Sequence, residues 1–372
     1  MQLIQSCTML VFLVLWLSTI KAPITKRVNA VLNDQRQITW LFPRRYVMVT
    51  FAAILIVVYT YKYGFVDTAS YRSMYAAVRT YSWTDMRTNP NGVEVGWLLF
   101  LRLLNLISTD SKLMLFVGGS IIICGFLYTI NRYSVDVSFS MIIFYFTMFL
   151  DLNNGMRQYV ATAFIVLGFQ FVIQRRFLPY LLMVIIASFC HNSAIFCLLF
   201  YFLANGKVFN KKIVISIGIS LVFMIIPSLF TGILTIIFSG TNYSYYISAG
   251  SGMRVWRLLV SIVPSIMVLL ISCRINHKDI AMTVSDSVFA NLILINTIFC
   301  VLGLRSWIFV RMCFYTGLIV ALFIPQLIKL LFREKDTRIV KVLAFTSYFI
   351  FFCYNLHVNN IYGNMHDFYL AW

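Results

Sequence analysis

The chain has 372 residues, of which 61% are hydrophobic and only 11% are charged. A soluble domain carries about 25% charged residues, so this composition excludes an ordinary soluble protein and indicates a polytopic helical membrane protein. The net charge of +18 would suggest nucleic-acid binding in a soluble protein. Here most basic residues fall in short loops, where they orient spans and contact anionic lipid, so we expect membrane lipids and no nucleic acid as partners.

Apolar runs recur from Cys7 to Cys353 without a break long enough for a soluble domain. They predict a single integral membrane domain over 1–372, all-α, with about 10–12 transmembrane helices including a broken or re-entrant pair. The first span covers Leu3 to Ile20, and the basic stretch that follows is cytoplasmic by the positive-inside rule. The predicted periplasmic segments are 64–112, 239–254 and the tail 355–372.

The remaining spans follow from apolar runs bounded by charged residues. Val95 to Ser108 is too short to cross comfortably and contains Arg102, so it predicts an interfacial or re-entrant helix on the outer side. The other predicted crossings are Tyr46 to Tyr63, Leu113 to Ile130, Ser138 to Leu150, Met156 to Ile173, Ile213 to Phe238 with a kink at Pro227, Val255 to Cys273, Val288 to Leu304, Ile308 to Ile328 and Val342 to Tyr354.

The run from Phe177 to Asn205 is long for one span and short for two. A single crossing would place the lysines from Lys207 to Lys212 outside, against the charge rule. Two half-helices that meet near His191 keep those lysines inside. Irregular backbone at membrane depth is tolerated where it lines a cavity, so we predict the broken pair.

Five arginines fall near the outer ends of predicted spans, where orientation does not require them: Arg157, Arg254, Arg257, Arg305 and Arg311. A guanidinium stays charged when it is partly desolvated and donates two bonds to a phosphate, so these side chains are candidates for one anion site. The alternative is that each extends to lipid headgroups or pairs with an acid, of which Asp151 is the nearest to Arg157 in sequence.

Two further groups of polar residues are candidates. Gln158 extends the polar start of the Arg157 helix, and His191 beside Asn192 and Ser193 is a candidate proton carrier or phosphate donor. The alternative for His191 is a packing residue whose hydrogen bonds are satisfied.

The four-residue spacing of Asp67, Tyr71 and Tyr75 lines one face of a helix, and such a face suits a sugar. Its alternative is an interfacial aromatic belt. Glu94 is a further acid in the same predicted outer segment.

Nucleotide-binding, hydrolase-elbow and Cys/His metal motifs are not found in the sequence. We therefore expect no cofactor and no metal. Arginines on the outer side then favour a substrate that is already in the membrane, such as a lipid-linked phosphate.

The pattern of these motifs resembles the EpsG-like branch of Wzy-type polysaccharide polymerases, from about residue 59 to the C-terminus. The motifs that carry the resemblance are Asp67-x-x-x-Tyr71-x-x-x-Tyr75, Glu94-x-Gly96, Met156-Arg157-Gln158-x-x-Ala161, Ala187-Ser188-Phe189-x-His191-x-Ser193, and Arg305 to Arg311-x-x-x-Tyr315. The resemblance implies a GT-C-like glycosyltransferase of the bacterial inner membrane. It would join undecaprenyl-pyrophosphate-linked oligosaccharides at the periplasmic face into O-antigen, capsule or exopolysaccharide, beside a flippase and a chain-length regulator.

The corresponding hypothesis gives each candidate a role. Arg157, Arg305 and Arg311 hold the donor pyrophosphate, while Glu94 or Asp67 takes the proton of the acceptor hydroxyl, with His191 as the rival base or second phosphate donor. Gln158, Arg254, Arg257, Tyr71 and Tyr75 would contact the pyrophosphate or the glycan. The alternatives from other classes are a lipid-linked oligosaccharide flippase, which is a transporter, and an O-antigen ligase.

Overall fold

The computed structural model describes residues 42–63, 65–88, 92–238, 255–276 and 282–361. The predicted first span Leu3 to Ile20, the loop 239–254 with Arg254, and the tail beyond Ile361 lie outside these residues. Within them the chain is helical and contains no strand. The helices are α1 (Phe42–Tyr61), α2 (Val66–Ala77), α3 (Trp83–Thr88), α4 (Val95–Asn105), α5 (Lys112–Tyr133), α6 (Val137–Asn153), α7 (Met156–Ile173), α8 (Phe177–Cys190), α9 (Leu198–Ala204), α10 (Lys211–Ile225), α11 (Pro227–Phe238), α12 (Val255–Asn276), α13 (Val284–Gly303), α14 (Trp307–Leu331) and α15 (Glu334–Ile361).

Helices α5, α7, α13, α14 and α15 are each long and apolar enough to cross a membrane, and α10 with α11 makes a sixth candidate if the bent pair is one span. Several shorter apolar helices accompany them, among them α6 and α8. The prediction of an all-α polytopic membrane protein with a broken or re-entrant pair is therefore confirmed.

Several helices begin at a side chain that accepts a backbone hydrogen bond. Asp136 caps α6 through the N–H of Phe139, and Ser306 caps α14 in the same manner. Thr283 and Asp286 form a reciprocal capping box at the start of α13. Such caps satisfy N–H groups that have no partner within the helix, so they fix where each helix starts.

Helix α14 runs through the centre of the bundle and packs against α6, α7, α12, α13 and α15. Its buried side chains include Tyr315, Leu318 and Phe323. The hydroxyl of Thr316 donates to Asn296 Oδ1 at 2.8 Å, which satisfies a polar pair inside this apolar core.

Helices α8 and α9 form a hairpin that turns at His191, as predicted. The Phe177 ring at the start of α8 lies 5.7 Å from the Phe202 ring at the end of α9. Tyr180 donates to the carbonyl of Cys197 across the hairpin at 2.7 Å. His191 is extended, with φ −157° and ψ 116°, and a 3-10 helix over Asn192–Cys197 follows it. The chain thus returns to the end of the bundle from which it came.

The segment from Ile213 to Phe238 was predicted as one crossing with a kink at Pro227, and the structure breaks it there with a much sharper bend than a kink. The two helices α10 and α11 meet at 106°, so α11 does not continue the path of α10. The proline ring of Pro227 disfavours a helical conformation at Ile226, which has φ −117° and ψ 80°. Phe230 and Leu234 of α11 then pack beside Ile298 of α13.

Candidate active site at one end of the bundle

A polar cavity of about 510 Å³ opens where α2, α6, α7, α12, α14 and the tip of the α8–α9 hairpin meet. It lies at the end of the bundle opposite the basic residues Arg132 and Arg175. Seven of the candidate residues line it: Asp67, Tyr71, Arg157, Gln158, His191, Arg257 and Arg311. Residues far apart in the sequence are therefore neighbours in one concave site.

Glu94 joins the two residues that stood out in the sequence, Arg157 and His191. Its Oε2 accepts from Arg157 Nη1 at 2.5 Å, and its Oε1 lies 3.1 Å from His191 Nδ1. The backbone N–H of Asn192 donates to the same Oε1 at 2.9 Å. The Glu94 side chain is only 4% exposed and does not line the cavity. Its carboxylate is thus fully used in holding the cavity residues.

The charge of Glu94 determines which ring nitrogen of His191 carries the proton. Burial alone would raise the pKa of Glu94, but the hydrogen bond from His191, the charge of Arg157 and the Asn192 N–H together lower it to about 2. An ionised carboxylate can only accept, so Nδ1 of His191 carries the proton. In neutral His191 the other nitrogen, Nε2, then has a free lone pair. It is buried, and no hydrogen-bond partner for it is found among the described residues.

Two contacts keep the hairpin tip against its neighbours. Gly96 of α4 packs so closely on α8 that a Cβ added there would lie 2.5 Å from Phe189 Cβ and 2.6 Å from its carbonyl oxygen. Ser193 Oγ and the hydroxyl of Tyr315 lie 2.9 Å apart and join the hairpin to α14. The Glu94-x-Gly96 and Arg311-x-x-x-Tyr315 motifs therefore both contact the His191 segment.

The turn between α6 and α7 is held from the opposite side by α2 and its preceding residues. Asp67 Oδ2 accepts from the N–H of Gly155 at 2.7 Å, and Gly155 has φ +70°, a left-handed conformation that favours glycine. The Tyr71 hydroxyl accepts from the Arg157 N–H at 3.4 Å. These bonds set the position at which Arg157 leaves the first turn of α7.

Lys62 contributes to the same turn, and it was not singled out from the sequence. Its ammonium is fully buried, donates to the carbonyl of Asn153 at 2.7 Å and lies 3.6 Å from the centre of the Tyr59 ring. A lysine directly after an apolar helix was the signal available in the sequence.

The remaining cavity arginines have specific partners. Arg257 forms an ion pair with Asp151 at 2.6 Å. Asp151 was considered as the acid nearest to Arg157, but Glu94 occupies that role because α4 packs beside α8. Gln158 donates to the carbonyl of Arg311 at 2.6 Å and is 4% exposed, so its amide joins α7 to α14.

The structure does not bring every candidate to the cavity. Tyr75 is completely buried and donates to the carbonyl of Ser108 at 2.7 Å, so it presents no surface to a glycan. Arg305 is exposed outside the cavity lining and donates to the carbonyl of Met224 at 3.4 Å. Trp307 and Phe314 line the cavity instead, and neither was singled out from the sequence. In the part of the chain that the structure describes, His, Cys, Asp and Glu form no cluster that could hold a metal ion.

A bundle of apolar helices with a polar cavity at one end, beside the tip of the α8–α9 hairpin, is the architecture of a polytopic membrane protein with a candidate active site. The model of the EpsG family matches residues 45–369, and the chain belongs to that family. Membership confirms the resemblance inferred from the motifs and supports a polymerase-type role in polysaccharide synthesis at a membrane. No curated protein and no solved structure matches the chain.

Proposed function

We propose that the protein is a glycosyltransferase that polymerises undecaprenyl-pyrophosphate-linked repeat units at the periplasmic face of the bacterial inner membrane. The product would be an O-antigen, capsule or exopolysaccharide, and a flippase and a chain-length regulator would act with it. The observation that carries this proposal is the single cavity in which Arg157, Arg257 and Arg311 face the same space as His191. Cationic donors beside a buried base suit the displacement of a pyrophosphate by a hydroxyl.

The arginines would hold the donor. Arg157 is 24% exposed along its side chain, and its Nε is buried with no hydrogen-bond partner among the described residues. Only part of its donor capacity is therefore used by Glu94. A pyrophosphate bound by Arg157 and Arg311 would leave as a stabilised anion, so the departing group needs little acid catalysis.

His191 is the base that the geometry favours. The acceptor hydroxyl oxygen forms a bond to the anomeric carbon while the bond from that carbon to the pyrophosphate oxygen breaks. The pyrophosphate keeps the electron pair, and Nε2 of His191 takes the hydroxyl proton. Glu94, with both oxygens engaged and a pKa of about 2, is a positioning residue in this mechanism and not the base. Asp67 is committed to Gly155 through one oxygen and forms part of the cavity wall.

The aromatic residues of the cavity would contact the sugars. Tyr71, Trp307 and Phe314 line the wall beside the arginines. Aromatic faces stack on the C–H surface of a sugar ring, and the adjacent Asp67 can accept its hydroxyl groups. This gives the cavity one anion-binding and one glycan-binding region.

The test combines cells and purified protein. A deletion strain that carries the His191→Ala variant should attach a single repeat unit where wild type attaches long chains. Purified wild-type protein in proteoliposomes should elongate lipid-linked repeat units without nucleotide. Loss of all attached repeats in the deletion strain would instead identify a ligase. Transfer of lipid-linked oligosaccharide across vesicles without elongation would identify a flippase.

A further inference from the structure

The polar cavity continues into the interior of the bundle. A narrow throat of about 80 Å³ shares Asp151, Arg257 and Phe314 with the cavity wall. A third space of about 420 Å³ begins at Val260, which also lines the throat. Each space therefore borders the next, through three shared wall residues at the cavity and through Val260 at the third space.

Three helices line these spaces, and two of them, α12 and α14, run from the polar cavity toward the third space. On α12, Arg257 at the cavity is followed by Val260 at the throat and Met267 at the third space. On α14, Gly317 lines the throat and Ile328 the third space. From Arg311 to Ile328 the path follows α14 for about 25 Å, since an α-helix rises 1.5 Å per residue.

Helix α15 runs in the opposite direction and shows the order reversed. Phe351 lines the throat, and Tyr348 and Ala344 line the third space farther from the polar cavity. Agreement among the three helices shows that the spaces are stacked along the bundle axis. We call the cavity, the throat and the third space together the groove; α12 and α14 line all of it, α15 lines its inner two parts, and α6, α7 and α13 complete the wall of the throat.

The character of the wall changes from charged to apolar along this groove. Among the described residues no charged side chain lines the third space, and the hydroxyl of Ser347 is satisfied by the carbonyl of Leu343 at 2.9 Å. Val263 is 56% exposed and Leu343 is 61% exposed on its rim. The groove therefore opens sideways, toward the region that lipid chains would occupy.

We propose that this groove binds the polyprenyl chain of the lipid-linked donor while its pyrophosphate lies against Arg157 and Arg311 of the cavity. The inference rests on the proposed function, because it assigns a second part of the same substrate. A polyprenyl pyrophosphate is an anion joined to a long apolar chain. The groove has the matching sequence of surfaces, cationic at the cavity and apolar beyond the throat.

The throat is the place where the two parts of the lipid would join. Its wall includes the small residues Ser261 and Gly317. Arg257 at its mouth is neutralised by Asp151, so a slender apolar chain can pass beside this ion pair. The arrangement fixes the pyrophosphate at one depth and leaves the chain to extend along α14.

The first experiment fills the apolar part of the groove. Ala344→Trp places a bulky ring on its wall, and Val342→Trp is the matched control because Val342 lies on the same helix, is 59% exposed and does not line the groove. Elongation in proteoliposomes is measured with repeat units on an undecaprenyl and on a geranyl pyrophosphate. We expect Ala344→Trp to raise KM about tenfold for the undecaprenyl donor only, because displacing even two buried carbons from the groove costs that much affinity. Equal effects on both donors, or no effect on either, would overturn the assignment.

The second experiment needs no turnover. Undecaprenyl pyrophosphate with a diazirine near the end of its chain is photolysed with the wild-type protein in nanodiscs, and the labelled peptides are mapped. The inference is supported if this probe labels α12, α14 and α15 at the groove more strongly than a diazirine phospholipid does. This holds even if the wild-type protein elongates no glycan and the proposed function fails. Equal labelling by the two probes in an active preparation would overturn the groove assignment and leave the proposed function standing.

Discussion

Glu94 and His191 are 97 positions apart in the sequence, yet the carboxylate Oε1 lies 3.1 Å from the imidazole Nδ1. The same carboxylate accepts from Arg157 through its other oxygen at 2.5 Å. One buried acid thereby fixes both a cationic side chain and a candidate base at the edge of a single cavity. The proposed chemistry depends on this triad more than on any of its members alone.

Replacing Glu94 by Gln tests the orienting role of this carboxylate. The amide can donate as well as accept, so it no longer holds the proton on Nδ1 of His191. We expect the rate of elongation in proteoliposomes to fall roughly 10²–10⁴-fold, the usual contribution of a positioned general base. Asp85→Asn is the control, since Asp85 is exposed and its hydrogen bonds are local ones with Ser82, three residues earlier. A Glu94→Gln protein with the wild-type rate would remove Glu94 from the mechanism.

The low pKa of Glu94 predicts a specific acid-side loss of stability. Its folded pKa of about 2 lies below the value of about 4.3 for an unfolded glutamate. The stabilising contribution is therefore complete above the unfolded pKa and is lost as the pH falls through the folded pKa. Thermal unfolding in detergent, measured between these two values, should show a smaller pH dependence for Glu94→Gln than for wild type. Identical pH dependence in both proteins would show that the fold does not lower the pKa of Glu94.

The contact of Gly96 with α8 predicts that a single methyl group displaces the triad. In Gly96→Ala the new Cβ would meet the Phe189 backbone, which cannot rotate away, so α4 must move from α8. We expect overpacking to cost roughly 1–3 kcal/mol of stability, with a further loss of elongation rate. Gly218→Ala is the matched control, because a Cβ there meets nothing within 4 Å. Unfolding midpoints and elongation rates of the two variants, compared with wild type, decide the outcome.

The helices of the described residues could be predicted because the length of an apolar run and its flanking charges are local properties. The break at His191 was predictable for the same reason, since only a returning chain kept Lys207 on the side of Arg175. The 106° angle at Pro227 was not, because proline predicts a break but the packing of Phe230 and Leu234 determines its direction.

Seven residues that line the candidate cavity were singled out from the sequence, but their pairings were not. Arg157 and His191 stood out because charged groups are costly in apolar runs. Asp151 was the acid nearest to Arg157 in sequence, and yet Asp151 binds Arg257 while Glu94 binds Arg157. Such pairings depend on how α4 and α12 pack against the bundle, which a one-dimensional spacing does not contain.

Arg305, which lies just before α14, and Arg311, which lies within α14, should differ in function. Arg311 lines the cavity, whereas Arg305 is exposed outside it. We expect Arg311→Ala to lower elongation at least about tenfold, the loss for one charge-assisted phosphate contact, while Arg305→Ala stays near wild type. Elongation is measured at equal amounts of folded protein in proteoliposomes. Equal losses in both variants would place the pyrophosphate elsewhere.

The buried lysine beside the α6–α7 turn gives a further prediction. Lys62→Met keeps an unbranched apolar stem of similar length but removes the ammonium that donates to the Asn153 carbonyl. Leaving this buried carbonyl without a donor should cost roughly 1–3 kcal/mol of stability. Because the turn sets the start of α7, we expect Arg157 to lose its fixed position, so that kcat falls more than KM rises. Hydrogen exchange at the turn should accelerate as well.

Lys112→Met controls for the loss of a cation at the same end of the bundle, since Lys112 lies 5.0 Å from the Tyr61 ring and outside the cavity. It should leave kcat, KM and exchange at 153–157 unchanged. If Lys62→Met destabilises the protein but the folded fraction retains the wild-type kcat, Lys62 supports the fold without positioning Arg157. A change confined to kcat and to exchange in the turn instead assigns the lysine a positioning role, because the carbonyl it binds lies four residues before Arg157.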